Sequence, residues 1–200
     1  MLKKLLFIIV AGGFFLYCAP KTEKFQEGDI VFQSTQSRQS KAIELATHSR
    51  FSHVGMIIEN DGKLVVAEAV QPVKFTSIEN WITQGGGKFT QSRIKNADKI
   101  LTENVKMKMR NLANSYAGKN YDLYFEWSDD KLYCSELVWK IYKNAAGIEV
   151  GKIRKFKEYD FTHPVVKQQL KERFGNNIPM EENIVSPEDI YKSDLLVEVK

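Results

Sequence analysis

The sequence predicts an α+β fold in which an antiparallel sheet is packed against helices. Three observations carry this. Two alternating apolar runs, 52–59 and 63–70, flank Asp61-Gly62, the residue pair that favours a two-residue hairpin. Two stretches, 103–116 and 134–146, carry apolar residues at helical spacing. At 43% hydrophobic and 27% charged, the 200 residues suffice for one well-packed core and leave no room for a second domain of usual size.

The elements follow in order. Lys3 and Lys4 precede an uncharged apolar run, 5–17, the n-region and h-region of an export signal and too short a run to span a bilayer comfortably. The run ends at Tyr17-Cys18-Ala19-Pro20, a pattern similar to a bacterial lipoprotein signal in which Cys18 is lipidated. A cut after Ala19 is disfavoured by Pro20, and a retained hydrophobic anchor is the remaining alternative. All three readings place the product in the cell envelope, and the favoured one gives a membrane-anchored lipoprotein facing the periplasm. The expected organisation is a signal peptide over 1–17, a tether over 18–26 and one folded domain over 27–200.

Gly28-Asp29 reads as a turn into a short buried strand, Ile30 to Phe32. Ser37 caps a helix reaching Thr47, with Ala42, Ile43, Leu45 and Ala46 available to the core. The hairpin follows, then a short helix around Ile78, Trp81 and Ile82, and a strand over 88–94 after Gly85-Gly86-Gly87. Thr102 caps the helix 103–116, whose stripe Val105, Met109, Leu112, Ala113 and Tyr116 is core, and Gly118 stops it. The helix 134–146 turns Leu137, Val138, Ile141, Tyr142 and Ala145 inward and ends at Gly147. Pro164 starts a further helix to Phe174, and Ser186-Pro187 starts a short one.

Charge and cysteine usage narrow the function. The net charge is +4, from 29 basic and 25 acidic residues, and falls to +2 once Lys3 and Lys4 go with the leader; this argues against a nucleic-acid groove. The two cysteines, Cys18 and Cys134, form no metal-spaced pair, so neither metal nor organic cofactor is implied. A two-residue loop at Asp61-Gly62 sets the hairpin register so that Ile57 faces Val66 and Gly55 faces Glu68. His53, Gly55, Ile57, Val66 and Glu68 then share one sheet face, His53 and Glu68 are diagonal neighbours, and Gly55 leaves room for the carboxylate. Glu68 could hold one imidazole nitrogen and leave the other as a base. A three-residue loop would separate the two, and solvated surface groups fit the same pattern.

Cys134 opens an amphipathic helix, where the backbone dipole and the free amides of the first turn stabilise a thiolate and a developing oxyanion. An inert core thiol fits the same periodicity equally well. His48 and His163 stand in polar connections and read as surface residues. The remaining constellation is Cys134, His53 and Glu68.

The segments 27–32 (EGDIVF), 46–56 (ATHSRFSHVGM), 67–70 (AEAV) and 132–139 (LYCSELVW), with 127–130, 177–179 and 185–187, resemble the YiiX/YebB-like branch of the NlpC-type papain-like amidases. The resemblance covers most of the chain after the leader. It implies a circularly permuted papain-like fold, with the histidine strand preceding the cysteine helix, and it places nucleophile, base and orienting group at Cys134, His53 and Glu68. It also implies that Tyr133 lines the site, binding substrate or the oxyanion. Ser52, Asp29 and the loop 121–130 are further candidates for the cleft wall. The expected activity is thiol-dependent hydrolysis of an envelope amide, in a peptide or peptidoglycan stem. A lipid acyl hydrolase or acyltransferase, or a non-catalytic envelope-binding module, are the alternatives.

Overall fold

In the computed structural model, which describes residues 25–199, six antiparallel strands form one sheet. These are β1 (Ile30–Gln33), β2 (His53–Asn60), β3 (Lys63–Glu68), β4 (Lys74–Ser77), β5 (Thr90–Ile94) and β10 (Leu196–Glu198), in the order β10-β5-β1-β2-β3-β4. The Asp61-Gly62 turn has positive φ at both residues, as a two-residue hairpin requires, and pairs Asn60 with Lys63 and Ile57 with Val66. The expected register therefore holds.

Alternation divides the core into two clusters. Val54, Met56 and Ile58 of β2, with Ile30 and Phe32 of β1, join the larger one. It contains α4 (Glu103–Tyr116) and α5 (Cys134–Ala146), both packed on β2. The opposite side chains, Val31, Ile57 and Val66, meet Ile78 and Trp81 of α2 (Ile78–Gln84) in the smaller cluster. Phe25 joins that cluster and stacks on Phe89, with ring centroids 5.8 Å apart. The leader, Cys18 and most of the expected tether lie outside the described residues.

The helix boundaries follow local chemistry. Ser37 accepts from the Ser40 amide to start α1 (Arg38–Thr47), Thr102 from Val105 to start α4, and Ser186 from Asp189 to start α7 (Pro187–Tyr191). Pro164 occupies the first turn of α6 (Pro164–Phe174), which packs on α1. Gly147 closes α5 in the left-handed region. α5 is buried beyond its apolar stripe, taking Glu136 and Lys140 into the interior with it.

The remaining elements are α3 (Ala97–Ile100) and two small ladders. β6 (Asn120–Tyr121) runs parallel to β7 (Lys131–Leu132), and β8 (Arg154–Lys155) antiparallel to β9 (Asn183–Ile184). The first ladder pairs Tyr121 with Leu132, two residues before Cys134, and the second leads into the 184–187 segment facing the same helix end.

Candidate active site

Cys134 is the first residue of α5 and is 4% exposed. No side chain caps this helix start. Instead Glu136 reaches back and accepts the Tyr133 amide at 3.3 Å. Burial pushes the Glu136 carboxyl up to about 8, against the pull of Lys140 Nζ at 2.8 Å. Lys140 in turn holds Asp129 at 2.7 Å and the Ser128 carbonyl, tying the 126–130 loop to the helix that presents the thiol.

His53 opens β2 and Glu68 ends β3. The His53 Nε2 lies 2.7 Å from Glu68 Oε2, and Thr76 Oγ1 donates to Glu68 Oε1 at 2.6 Å. Glu68 is fully buried and the His53 side chain is 13% exposed. Trp81 covers the pair, its ring centroid 6.3 Å from that of His53. With Nε2 engaged by Glu68, Nδ1 is the ring nitrogen that remains available.

The electrostatics follow from this arrangement. Burial lowers the His53 basicity, but hydrogen bonds to Cys134 and to Glu68, with the attraction of both charges, raise its pKa to about 10. Burial also raises Cys134 and Glu68, yet both end below their ordinary values. Cys134 is held down by the His53 hydrogen bond and charge, then by the Val54 amide, and Glu68 by His53 and then Thr76. Both shifts favour the thiolate–imidazolium form of the pair over the neutral one.

Gly55 makes room for a different neighbour from the one expected. A Cβ there would sit 2.4 Å from Val66 Cγ1 and 3.6 Å from Glu68 Cβ, so the close approach is to valine. Ser52 is buried beside His53, its hydroxyl 2.9 Å from that of Ser34. Tyr133 is buried and lines the same cavity as the thiol, as the resemblance implied, and its oxygen accepts the Val185 amide at 3.3 Å. Asp29 is not brought to this place. Its carboxylate accepts from Gln91 at 2.6 Å and from Arg93 at 2.6 and 2.7 Å, which fixes the start of β1.

A cavity of about 90 Å³ opens on Cys134. Its wall is almost entirely apolar, formed by Phe125, Phe156, Phe161, Val166 and Leu170 among others. Tyr121, which opens the 121–130 loop expected at the cleft wall, lines it in a polar chain with Gln39 and Arg173, two residues that sequence reasoning did not single out. Arg173 donates to Gln39 Oε1 at 3.0 Å, and Gln39 Nε2 donates to the Tyr121 hydroxyl at 3.3 Å. They come from three distant stretches, and no local pattern marks them.

The family model described as permuted papain-like amidase enzyme, YaeF/YiiX, C92 family, matches residues 24–200. The chain belongs to this family. It is 47% identical over 175 residues to the uncharacterized protein YiiX of Escherichia coli strain K12, across 87% of this chain and 85% of that one. It also resembles the crystal structure of metalloprotein YiiX from Escherichia coli O157:H7, with 47% identity, a TM-score of 0.83, and coverage of 88% of this chain and 96% of that chain. The residues here do not fit a metal centre: among the described residues, no three His, Cys, Asp or Glu side chains are disposed to hold one. His53 precedes Cys134 in this chain, the order expected of a permuted arrangement.

Proposed function

We propose that this family member is a cysteine hydrolase of the cell envelope, with Cys134 as nucleophile, His53 as proton carrier and Glu68 as the group that holds the imidazole. The observation that carries this is the buried sequence of contacts from Glu68 through His53 to a depressed thiol that opens on a cavity. Cys134 attacks an amide carbonyl, and His53 delivers its proton to the departing amine. Water, deprotonated by His53, then releases the acyl group from sulfur.

The apolar wall favours an acyl chain over the polar stem of a muropeptide, so the reading that the geometry supports best is an amide or ester whose acyl part is apolar. Anchoring at Cys18 would hold such an enzyme beside membrane-borne substrate. Purified protein should turn over N-acylated amines or phospholipids, with Cys134→Ala inactive. Cleavage of muropeptides without any acyl-lipid turnover would restore the peptidoglycan reading, and activity surviving in Cys134→Ala would remove both.

A further inference from the structure

The proposed hydrolysis gives the acyl part of the substrate a place and leaves its amine part without one. The departing amine takes a proton from His53, so whatever that amine carries lies on the His53 side of the thiol. A second recess, of about 650 Å³, begins at the residue paired with His53. It is lined mostly by polar side chains, from the end of β1, the turn after α2 and the start of β5.

That residue is Gln33, the last of β1, directly opposite His53 on the same sheet face. Side chains so opposed have Cβ atoms about 4.5–5.5 Å apart. The Ser52 amide donates to the Gln33 carbonyl at 3.1 Å, which fixes that backbone. Gln33 is 1% exposed, yet neither Oε1 nor Nε2 has a hydrogen-bond partner. Among the described residues, no other side chain has both its polar atoms buried and unpaired. Such a group works against folding unless a ligand pairs with it. A Cβ at Gly85 would lie 2.1 Å from Gln33 Oε1 and 3.0 Å from its Cδ, although the Gly85 φ of −82° suits any residue. Glycine is therefore needed here for room around the carboxamide alone. The terminal torsion of glutamine is soft, so that room lets both polar atoms turn into the recess.

A carboxamide presents a donor and an acceptor side by side. Their complement is an N–H and a carbonyl or carboxylate oxygen carried by one amino-acid residue, the pair that opposed residues exchange in an antiparallel ladder. Charge narrows the occupant further. Arg50 and Lys88 line the recess, and Arg50 is only lightly held, with Glu198 3.8 Å away. The carboxylate in the lining, Glu44, is taken up by Lys41 at 3.3 Å and by Ser34. An occupant with a negative end fits this balance.

We infer that this recess takes the amine part of the substrate, and that the substrate is an N-acylated amino acid. The Gln33 carboxamide pairs with its N–H and a carboxylate oxygen, and the carboxylate lies toward Arg50 and Lys88. Sulfur bonds to the acyl carbon, and the C–N pair leaves with the His53 proton as the free amino acid. Water then adds OH to the acyl carbon and returns its other proton to the Cys134–His53 pair. The inference rests on the thiol mechanism proposed above and narrows its substrate class.

The test compares two amides of one acyl chain, N-decanoylalanine and N-ethyldecanamide, of which only the first carries a carboxylate. Amine release by wild type is expected to favour N-decanoylalanine by about 10²-fold in kcat/KM, and Gln33→Leu to cut that preference about tenfold, the worth of one hydrogen bond to a charged group. Gln33→Leu should also melt no earlier than wild type, because it removes an unpaired buried amide and keeps most of the volume. A lower melting temperature would show that the carboxamide is satisfied within the fold, and the inference would fail. It fails equally if Gln33→Leu keeps the wild-type preference, or if wild type hydrolyses p-nitrophenyl decanoate but does not prefer N-decanoylalanine between the amides. A wild type that hydrolyses none of the three removes the function proposed above. The recess is then decided by calorimetry on Cys134→Ala: N-decanoylalanine binding more tightly than N-ethyldecanamide, with the difference cut by Gln33→Leu, upholds it, and equal binding of the two overturns it.

Discussion

The His53 Nε2 and Glu68 Oε2 are 2.7 Å apart on the sheet face that Trp81 closes, while Cys134 belongs to the core on the other face. His53 can serve both because it stands at the first position of β2, where the sheet ends. Removing the carboxylate charge should therefore unsettle the ring while leaving the cysteine helix in place. Glu68→Gln is expected to lower kcat about 10²–10⁴-fold and to lower the His53 pKa, which imidazole proton shifts in NMR would follow. An unchanged His53 titration would show that Glu68 does not govern it.

Thiol reactivity against pH reads the ion pair directly. The depressed Cys134 thiol should alkylate well below the ~8.5 of an ordinary cysteine. In His53→Ala the hydrogen bond and charge that oppose burial are gone, so the rate should rise only at a pH at or above that ordinary value. Coincident wild-type and variant profiles would mean that the imidazole does not act on the sulfur.

Much of this was legible in the chain because it is local. The Asp61-Gly62 pair set the hairpin register that brings His53 and Glu68 to one face, and the periodicity of 134–146 placed Cys134 at a helix start. What was not legible is long-range or lacks a turn signal. β4 follows Pro72 with only Val73 and Phe75 to mark it, too short an alternation to signal a strand, so Thr76, the second partner of Glu68, went unseen. The cavity wall draws on α1, α6 and the 184–187 segment, whose convergence no spacing reveals. Asp29 looked like a cleft residue in sequence, but the strand β5 that supplies Gln91 and Arg93 claims its carboxylate.

Thr76→Val keeps the shape of the side chain and removes the donor to Glu68 Oε1. A buried carboxylate oxygen left without its partner costs about 1–3 kcal/mol, so thermal unfolding should come several degrees earlier, and Thr76→Ser should recover most of the loss. Equal stability of the valine and serine variants would show that the hydroxyl contributes nothing.

The same pair sets a pH window for stability. His53 is raised to about 10 from 6.5, so its contribution is complete below about 6.5 and lost as pH rises through about 10. Cys134 is lowered from 9.0, so its contribution is complete above about 9 and lost as pH falls through its folded value. The two slopes oppose each other wherever the windows overlap. Cys134→Ala keeps the part of the His53 contribution that Glu68 supplies and loses the thiolate, so the stability advantage of wild type over this variant, from denaturant unfolding, should shrink as pH falls through the folded value of Cys134. An advantage that does not change with pH below about 9 would show that the thiol is not depressed in the fold.

The apolar cavity makes a separate demand on the substrate. Val166 and Leu170 line it on successive turns of α6, so Val166→Phe or Leu170→Phe fills space that an acyl chain would occupy. A small reagent such as iodoacetamide needs little of that space, so Cys134 alkylation should stay near wild type in both variants. Hydrolysis of a decanoyl ester should weaken chiefly through a higher KM, while a butyryl ester should be hydrolysed nearly as before. Each methylene excluded is worth about 0.8 kcal/mol, so the preference for the long chain should fall by well over tenfold. If both esters lose activity in proportion, the acyl chain does not enter this cavity.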